Sequence, residues 1–181
     1  MTAPPVRPSR DDDLPAVQAI YAHHVLTGLA SFEEVPPDPA EMARRRAAVI
    51  ERGLPYLVAE RGGKVVGYCY AGPFRPRIGY RFTLEDSVYV DEAEIGRGIG
   101  RRLLDQVVSR CAELGYRQMV AVIGGRETVA SIKLHERCGF AHIGVLATVG
   151  FKFGRWIDIV MMQRALGAGS TSLPNESARS G

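Results

Sequence analysis

The sequence predicts one α/β (α+β) domain, and three observations carry that prediction. Strand-like and helix-like segments follow one another as a strand, two helices, a β-meander, a helix, a strand, a helix and two closing strands. Gly62-Gly63, a strong two-residue turn, joins two strands of the meander. The last meander strand runs through an acidic turn into a loop with glycine at positions 96, 98 and 100, and that loop opens a helix. A chain of 181 residues can bury a core without disulfides or metals. No repeat or second boundary divides residues 1–166. Residues 167–181, rich in Gly and Ser and without periodicity, are expected to form a flexible C-terminal tail.

Val6 and Arg7 suit a short first strand. Asp11-Asp12-Asp13 offers an N-cap to a helix carrying Leu14, Val17, Ile20 and Tyr21 on one face. His23 and His24 close that helix; adjacent helical residues point apart, which argues against a shared metal. Asp38-Pro39-Ala40-Glu41 combines a cap, a proline at the first helical position and an acid three residues after the cap. Met42 and Val49 face inward from this second helix, Arg44 to Arg46 are expected on its wet side, and it ends near Gly53.

Tyr56 to Arg61 and Lys64 to Ala71 are strands, followed by a loop from Gly72 to Gly79 rich in proline and arginine. In the strand Phe82 to Val90, the alternation Phe82, Leu84, Val88, Val90 is interrupted by Asp86, which predicts a bulge or splay that aims groups at a site. Ile99, Leu103, Val107, Cys111 and Leu114 recur at helical spacing, and Gly115 ends that helix. Met119 to Ile123 reads as a central strand, and Thr128 to Cys138 as a short helix. Phe140 to Val149 and Trp156 to Met162 are the closing strands, joined by a loop around Phe151 to Arg155.

Composition narrows the function. A net charge of +3 with dispersed arginines argues against nucleic-acid binding. No stretch approaches the ~18 apolar residues of a membrane span. Cys69, Cys111 and Cys138 are an odd number with no metal-like spacing, which predicts reduced, buried thiols, a cytoplasmic setting and no metal.

The glycine loop is the most informative stretch. Glycines let the backbone turn sharply and approach a ligand, and the free N–H groups opening the next helix attract an anion. Arg97, Arg101 and Arg102 add full charges. No Gly-Lys-Ser/Thr follows, so this is not a P-loop, and the dinucleotide fingerprint is also absent. What remains is a phosphate cradle for another coenzyme.

The chain resembles the GNAT superfamily of acyl-CoA-dependent N-acetyltransferases over roughly residues 5 to 166, and within it the phosphinothricin and methionine-sulfone acetyltransferase branch. Tyr70-Ala71-Gly72-Pro73-Phe74, Tyr80, Thr83 to Val90, Leu134-His135 and Lys152-Phe153-Gly154-Arg155-Trp156-Ile157-Asp158 carry the resemblance. It implies a central twisted mixed sheet, splayed near Asp86 and flanked by about four helices. It also implies acetyl-CoA as co-substrate, with its pyrophosphate on the backbone of Gly96, Arg97, Gly98, Ile99, Gly100 and Arg101. Val88, Tyr89 and Val90 would pair with the pantetheine arm, and Thr128 and Ser131 would add polar contacts. Thr128 stands where the branch has Asn, and Ile95 where the family has Gln or Arg.

The implied reaction is direct attack of an amine on the acetyl thioester. The resemblance makes Glu85 the base, acting through a water. A Val88 N–H would stabilise the oxyanion, and His135 would protonate the leaving thiolate, assist the base, or simply pack. Arg75 or Arg77 would clamp a substrate carboxylate, and Phe32, Phe74, Tyr80 and Trp156 are candidates for the pocket wall or the core. Asp86 and Ser87 complete the expected substrate side. Relatives commonly form homodimers. The open alternatives are another acceptor (a polyamine, an antibiotic or a protein amine), which Arg75 and Arg77 would disfavour if polycationic, and a regulatory acyl-CoA binder without turnover.

Overall fold

The computed structural model describes residues 4–175. Its strands are β1 (Val6–Pro8), β2 (Tyr56–Arg61), β3 (Lys64–Pro73), β4 (Thr83–Val90), β5 (Gln118–Gly124), β6 (Ala141–Lys152) and β7 (Arg155–Ala165). The helices are α1 (Leu14–Thr27), α2 (Pro39–Glu51), α3 (Ile99–Glu113) and α4 (Val129–Arg137). The strands form a single seven-stranded sheet in the order β1-β2-β3-β4-β5-β7-β6. All neighbours are antiparallel except β4 and β5, so the sheet is mixed.

Period-2 alternation assigns each face of β4 a cover. Tyr89 packs edge-on against Tyr21 of α1, with ring centroids 5.1 Å apart. On the other face, a Cβ at Gly100 of α3 would touch Val90 and Leu134 of α4. Odd-numbered residues of β4 therefore look toward α1, and even-numbered residues toward α3 and α4. The apolar stripe of α3, from Ile99 through Leu103 and Val107 to Cys111, is buried against the sheet, while Leu114 at its end is exposed. Among the described residues, no helix is long and apolar enough to cross a membrane, and the three cysteines are buried.

Helix α2 starts as its sequence predicts: Asp38 Oδ1 accepts from Glu41 N at 2.7 Å. The start of α1 differs. Asp11–Asp13 form a short 3-10 turn, and Asp13 has a helical backbone, φ −79° and ψ −20°, which denies it the extended geometry of a side-chain cap. Its buried carboxylate instead takes Arg10 N at 2.7 Å and the Arg7 guanidinium at 2.7 and 2.9 Å. The arginine run also departs from a wet face. Arg46 reaches Ser9 Oγ, Ser9 O and Asp11 Oδ1, each at 2.7 Å, and Arg45 pairs with Glu33 and Glu41.

The last hairpin is tighter than expected. β6 continues to Lys152, and the turn is Phe153-Gly154, whose φ values of 52° and 72° suit the primed turns that match strand twist. Beyond β7, residues 167–170 form a turn, and Arg117 donates to Gly169 O, Ser172 Oγ and Leu173 O. The rest of the expected flexible tail, 176–181, lies outside the described residues.

Candidate active site

The site exists because two strands part. β4 and β5 pair only at Thr83–Gln118, Leu84–Met119 and Glu85–Val120. Beyond Glu85, β4 follows β3 as far as Val90 opposite Gly67, and β5 follows β7 as far as Gly124 opposite Ile159. The β3–β4 register is unbroken, so the irregularity expected at Asp86 is a splay and not a bulge. The wedge between the strands holds a cavity of about 200 Å³. Whole-ligand pockets are usually ~300–1,000 Å³, so this one suits the reacting ends of two molecules.

The open edge of β4 follows from hydrogen-bond alternation. Phe74 N donates to Thr83 O and Asp91 N to Val66 O, so odd residues of β4 bond to β3. The N–H and C=O groups of Val88 and Val90 consequently face the wedge, beyond the last β5 pairing at Glu85–Val120. Val90 O accepts from His24 Nε2 at 2.9 Å.

Glu85 and Asp86 lie side by side in sequence but on opposite faces. Glu85 is half-buried on the α1 side, and its pKa is pushed up to about 6, first by burial and then by the charge of Asp86, with Arg75 opposing. Asp86 is buried on the α4 side, where its Oδ2 receives His135 Nε2 at 3.0 Å. His135 Nδ1 donates to the Ser131 carbonyl at 2.8 Å. Both ring nitrogens thus face oxygen acceptors, which favours the imidazolium. Burial pushes the His135 pKa down, but the hydrogen bond and charge of Asp86 outweigh it and the net direction is up. With both N–H groups committed to the protein, His135 has no free proton aimed at a leaving group. The other oxygen of Asp86, Oδ1, is buried beside the cavity without a protein partner.

The glycine loop lies at the far end of β4. Gly96 and Gly98 have φ of 82° and 76°, which side chains rarely adopt, and nothing lies within 4 Å of where their Cβ atoms would be. The first intrahelical bond of α3 runs from Arg102 N to Gly98 O, leaving the N–H groups of Ile99, Gly100 and Arg101 ahead of it. Ile99 contributes only backbone here, because its side chain is in the core. Arg97 and Arg101 remain about half-exposed while pairing with Glu94 and Asp105. Coenzyme A fits such a cradle: free N–H groups meet a diphosphate, and the open edge of β4 meets an amide-bearing arm.

Not every expected residue meets the cavity. Phe32, Glu85, Asp86, Ser87, Val88, Tyr89, Thr128, Ser131 and His135 line it. The Thr128 hydroxyl donates to Gly124 O at 2.6 Å, so it can only accept from a ligand. Phe74 and Tyr80 pack edge-on at 5.8 Å in the β3–β4 loop, outside the cavity lining, with the Arg75 guanidinium 5.1 Å from the Phe74 ring. Arg77 is exposed on the same loop, and Trp156 is exposed beside Phe151. The sequence reading missed Leu29, Ala30, Ser31 and the β5 wall from Ala121 to Gly124. Its one available signal was Gly124-Gly125, a second glycine pair closing an apolar strand.

With this geometry in hand, comparison with known proteins is decisive. The acetyltransferase (GNAT) family model matches residues 18–140. The chain is 61% identical over 169 residues to a phosphinothricin N-acetyltransferase from Alcaligenes faecalis, covering 93% of this chain and 86% of that protein. It is 41% identical over 152 residues to an L-methionine sulfoximine/L-methionine sulfone acetyltransferase from Pseudomonas paraeruginosa, covering 83% of this chain and 88% of the relative. A GNAT superfamily phosphinothricin acetyltransferase from Sinorhizobium meliloti, solved with acetyl-CoA, superimposes with a TM-score of 0.93 at 45% identity, over 97% of this chain and 95% of that one. Splayed sheet, glycine cradle and sequence agree, and the chain belongs to the GNAT family of acetyltransferases.

Proposed function

We propose that this protein transfers the acetyl group of acetyl-CoA to the α-amino group of a small amino-acid analogue, of the phosphinothricin or methionine sulfone and sulfoximine type, by direct attack of the amine. One observation carries the reading: a half-buried carboxyl with a pKa near 6, Glu85, borders the wedge opposite a glycine cradle. A mere coenzyme binder needs no base tuned close to neutrality. The names of the relatives support the substrate class.

Acetyl-CoA, when bound, supplies a thioester whose carbonyl an amine can attack and whose thiol can leave. The backbone of Gly96 to Arg101 binds its diphosphate, and the edge of β4 from Val88 to Val90 that β5 leaves uncovered binds the arm. Thr128 accepts one hydrogen bond, and Ser131 lies beside it. Glu85 takes a proton from the substrate ammonium, directly or through one water. Val88 N–H, on the open edge, donates to the oxygen that gains negative charge, an interaction worth roughly 10²–10³ in rate for donors of this kind. His135 balances the Asp86 carboxylate and so limits how far Asp86 raises the pKa of Glu85.

Arg75 is the favoured carboxylate clamp, because its charge already reaches Glu85; Arg77, Phe74 and Tyr80 share its loop. Phe32 and Ser87 wall the acceptor side. Acetylation removes the positive charge of the analogue's amine, which supports a detoxifying role and, toward phosphinothricin, herbicide resistance. The three buried cysteines, odd in number, support a cytoplasmic setting. A homodimer is supported by the exposed edge strand β6, with Ile143, Val145, Leu146 and Val149 uncovered.

The test is thiol release from acetyl-CoA across phosphinothricin, methionine sulfone, methionine sulfoximine, ordinary amino acids and polyamines. Turnover is expected with the analogues and not with polyamines, and the reverse order would refute the substrate class. Arg75→Ala is expected to raise KM for the analogues about 10- to 100-fold, as loss of a hydrogen bond to a charged group does. An acceptor lacking the carboxylate should show no such rise.

A further inference from the structure

The segment joining α1 to α2 bridges the two arms of the wedge. On the β4 side, Tyr89 Oη donates to Ala30 O at 3.4 Å, and Tyr21 Oη bonds Ser31 Oγ at 2.8 Å and Glu33 Oε1 at 3.0 Å. On the side of β5, β7 and β6, the contacts come from distant parts of the chain. Lys152 on β6 is 1% exposed, and its Nζ donates to Gly28 O at 2.9 Å and Ser31 O at 2.6 Å. A Cβ at Gly150 would overlap the Phe32 ring, and one at Gly124 would overlap Leu29 O. Bare backbone at these two positions is what lets the segment seat. Residues 29–32 also form one wall of the cavity, on the α1 face where Glu85 lies.

We propose that Lys152 is a positioning residue for the acceptor amine: by tying Gly28 and Ser31 to β6 it holds Leu29–Phe32 as a strap across the wedge and sets the room beside Glu85. This inference rests on the acetyltransferase reading. A buried lysine is costly, and a solvent-exposed strap would not need one. Here its two bonds satisfy two loop carbonyls that have no strand partner, and the ammonium lies 4.9 Å from the Phe153 ring centroid. The glycine cradle lies at the far end of β4 and does not line this cavity, so the strap governs the acceptor and leaves the hold on the diphosphate unchanged.

Two variants separate positioning from bulk stability. Lys152→Met keeps the length of the side chain and removes both bonds. Gly150→Ala keeps Lys152 and displaces the Phe32 ring; Gly150 has no left-handed φ, so its backbone accepts alanine. Hydrogen exchange of amides 29–33 is expected to speed up in both. KM for the amine is expected to rise about 10- to 100-fold, the scale of an ångström's misplacement, while kcat and the KM for acetyl-CoA stay close to wild type. Gly150→Ala carries the test if Lys152→Met does not fold. Unchanged exchange at 29–33, or an equal fall in every kinetic parameter together with the melting temperature, would overturn the assignment. An inactive wild type would sink the functional reading, while the exchange difference would still decide whether the strap is latched.

Discussion

Glu85→Gln is expected to lower kcat by about 10²–10⁴-fold, the usual worth of a positioned general base, while acetyl-CoA binds as tightly as before. Gln keeps the size and polarity of the side chain and loses only the ability to hold a proton. The pH profile gives the reason a signature. With the Glu85 pKa raised to about 6, chiefly by burial, wild-type kcat/KM should fall as pH drops through about 6, and the variant should lose that limb. Stability should move the other way. A carboxyl whose pKa is raised in the fold stabilises the protein below its ordinary value of 4.5, and that contribution is lost as pH rises through about 6. Glu85→Gln should therefore melt higher than wild type near pH 8, and the gain should vanish below pH 4.5. A variant that is both less active and less stable at pH 8 would point to a structural glutamate.

His135→Ala should cost stability rather than chemistry, by about 3–5 kcal/mol, the range for removing one partner of a buried ion pair. The side chains of His135 and Asp86 are 4% and 1% exposed, and Asp86 Oδ1 already lacks a partner. Without His135 both carboxylate oxygens would be stranded. Because the net shift of His135 is upward, its contribution is complete below the ordinary histidine value of 6.5 and is lost as pH rises through the raised value in the fold. Urea unfolding should show a wider gap between wild type and variant at pH 6 than at pH 9. The double variant Asp86→Ala/His135→Ala should be less damaged than the sum of its singles, since it leaves no orphaned charge. Additive losses would mean that the two side chains are independent.

What could be read from the sequence was local. Gly96 and Gly98 report a backbone conformation that only neighbouring residues decide, and Asp38 caps its helix by accepting from Glu41 three residues on; both stand where expected. The splay of β4 from β5 was anticipated from one misplaced charge, Asp86, but its form was not. A bulge and a parting of strands leave the same mark on alternation, and only the partner strand, more than 30 residues on, distinguishes them. The pairing of Asp86 with His135 spans 49 positions, and that of Lys152 with Gly28 spans 124. No period or cap encodes contacts at such separations. Lys152 illustrates the difficulty: the sequence places it in the loop joining the closing strands, yet the strap folds over it. Arg46 misleads in the same way, since helical phase marks it as wet while Ser9 and Asp11 enclose it.

The central claim is that main-chain N–H groups between β4 and α3 hold a diphosphate and thereby bring a thioester into the wedge beside Glu85. Titration calorimetry with acetyl-CoA, on wild type and on Gly98→Val, tests it most directly. Valine is strained at the φ of 76° that Gly98 adopts, so the loop must shift and carry the N–H of Ile99 with it. Saturable one-to-one binding to wild type, weakened roughly tenfold or more in the variant, is the expected result. Equal affinity in both proteins, or no saturable heat in either, would contradict it.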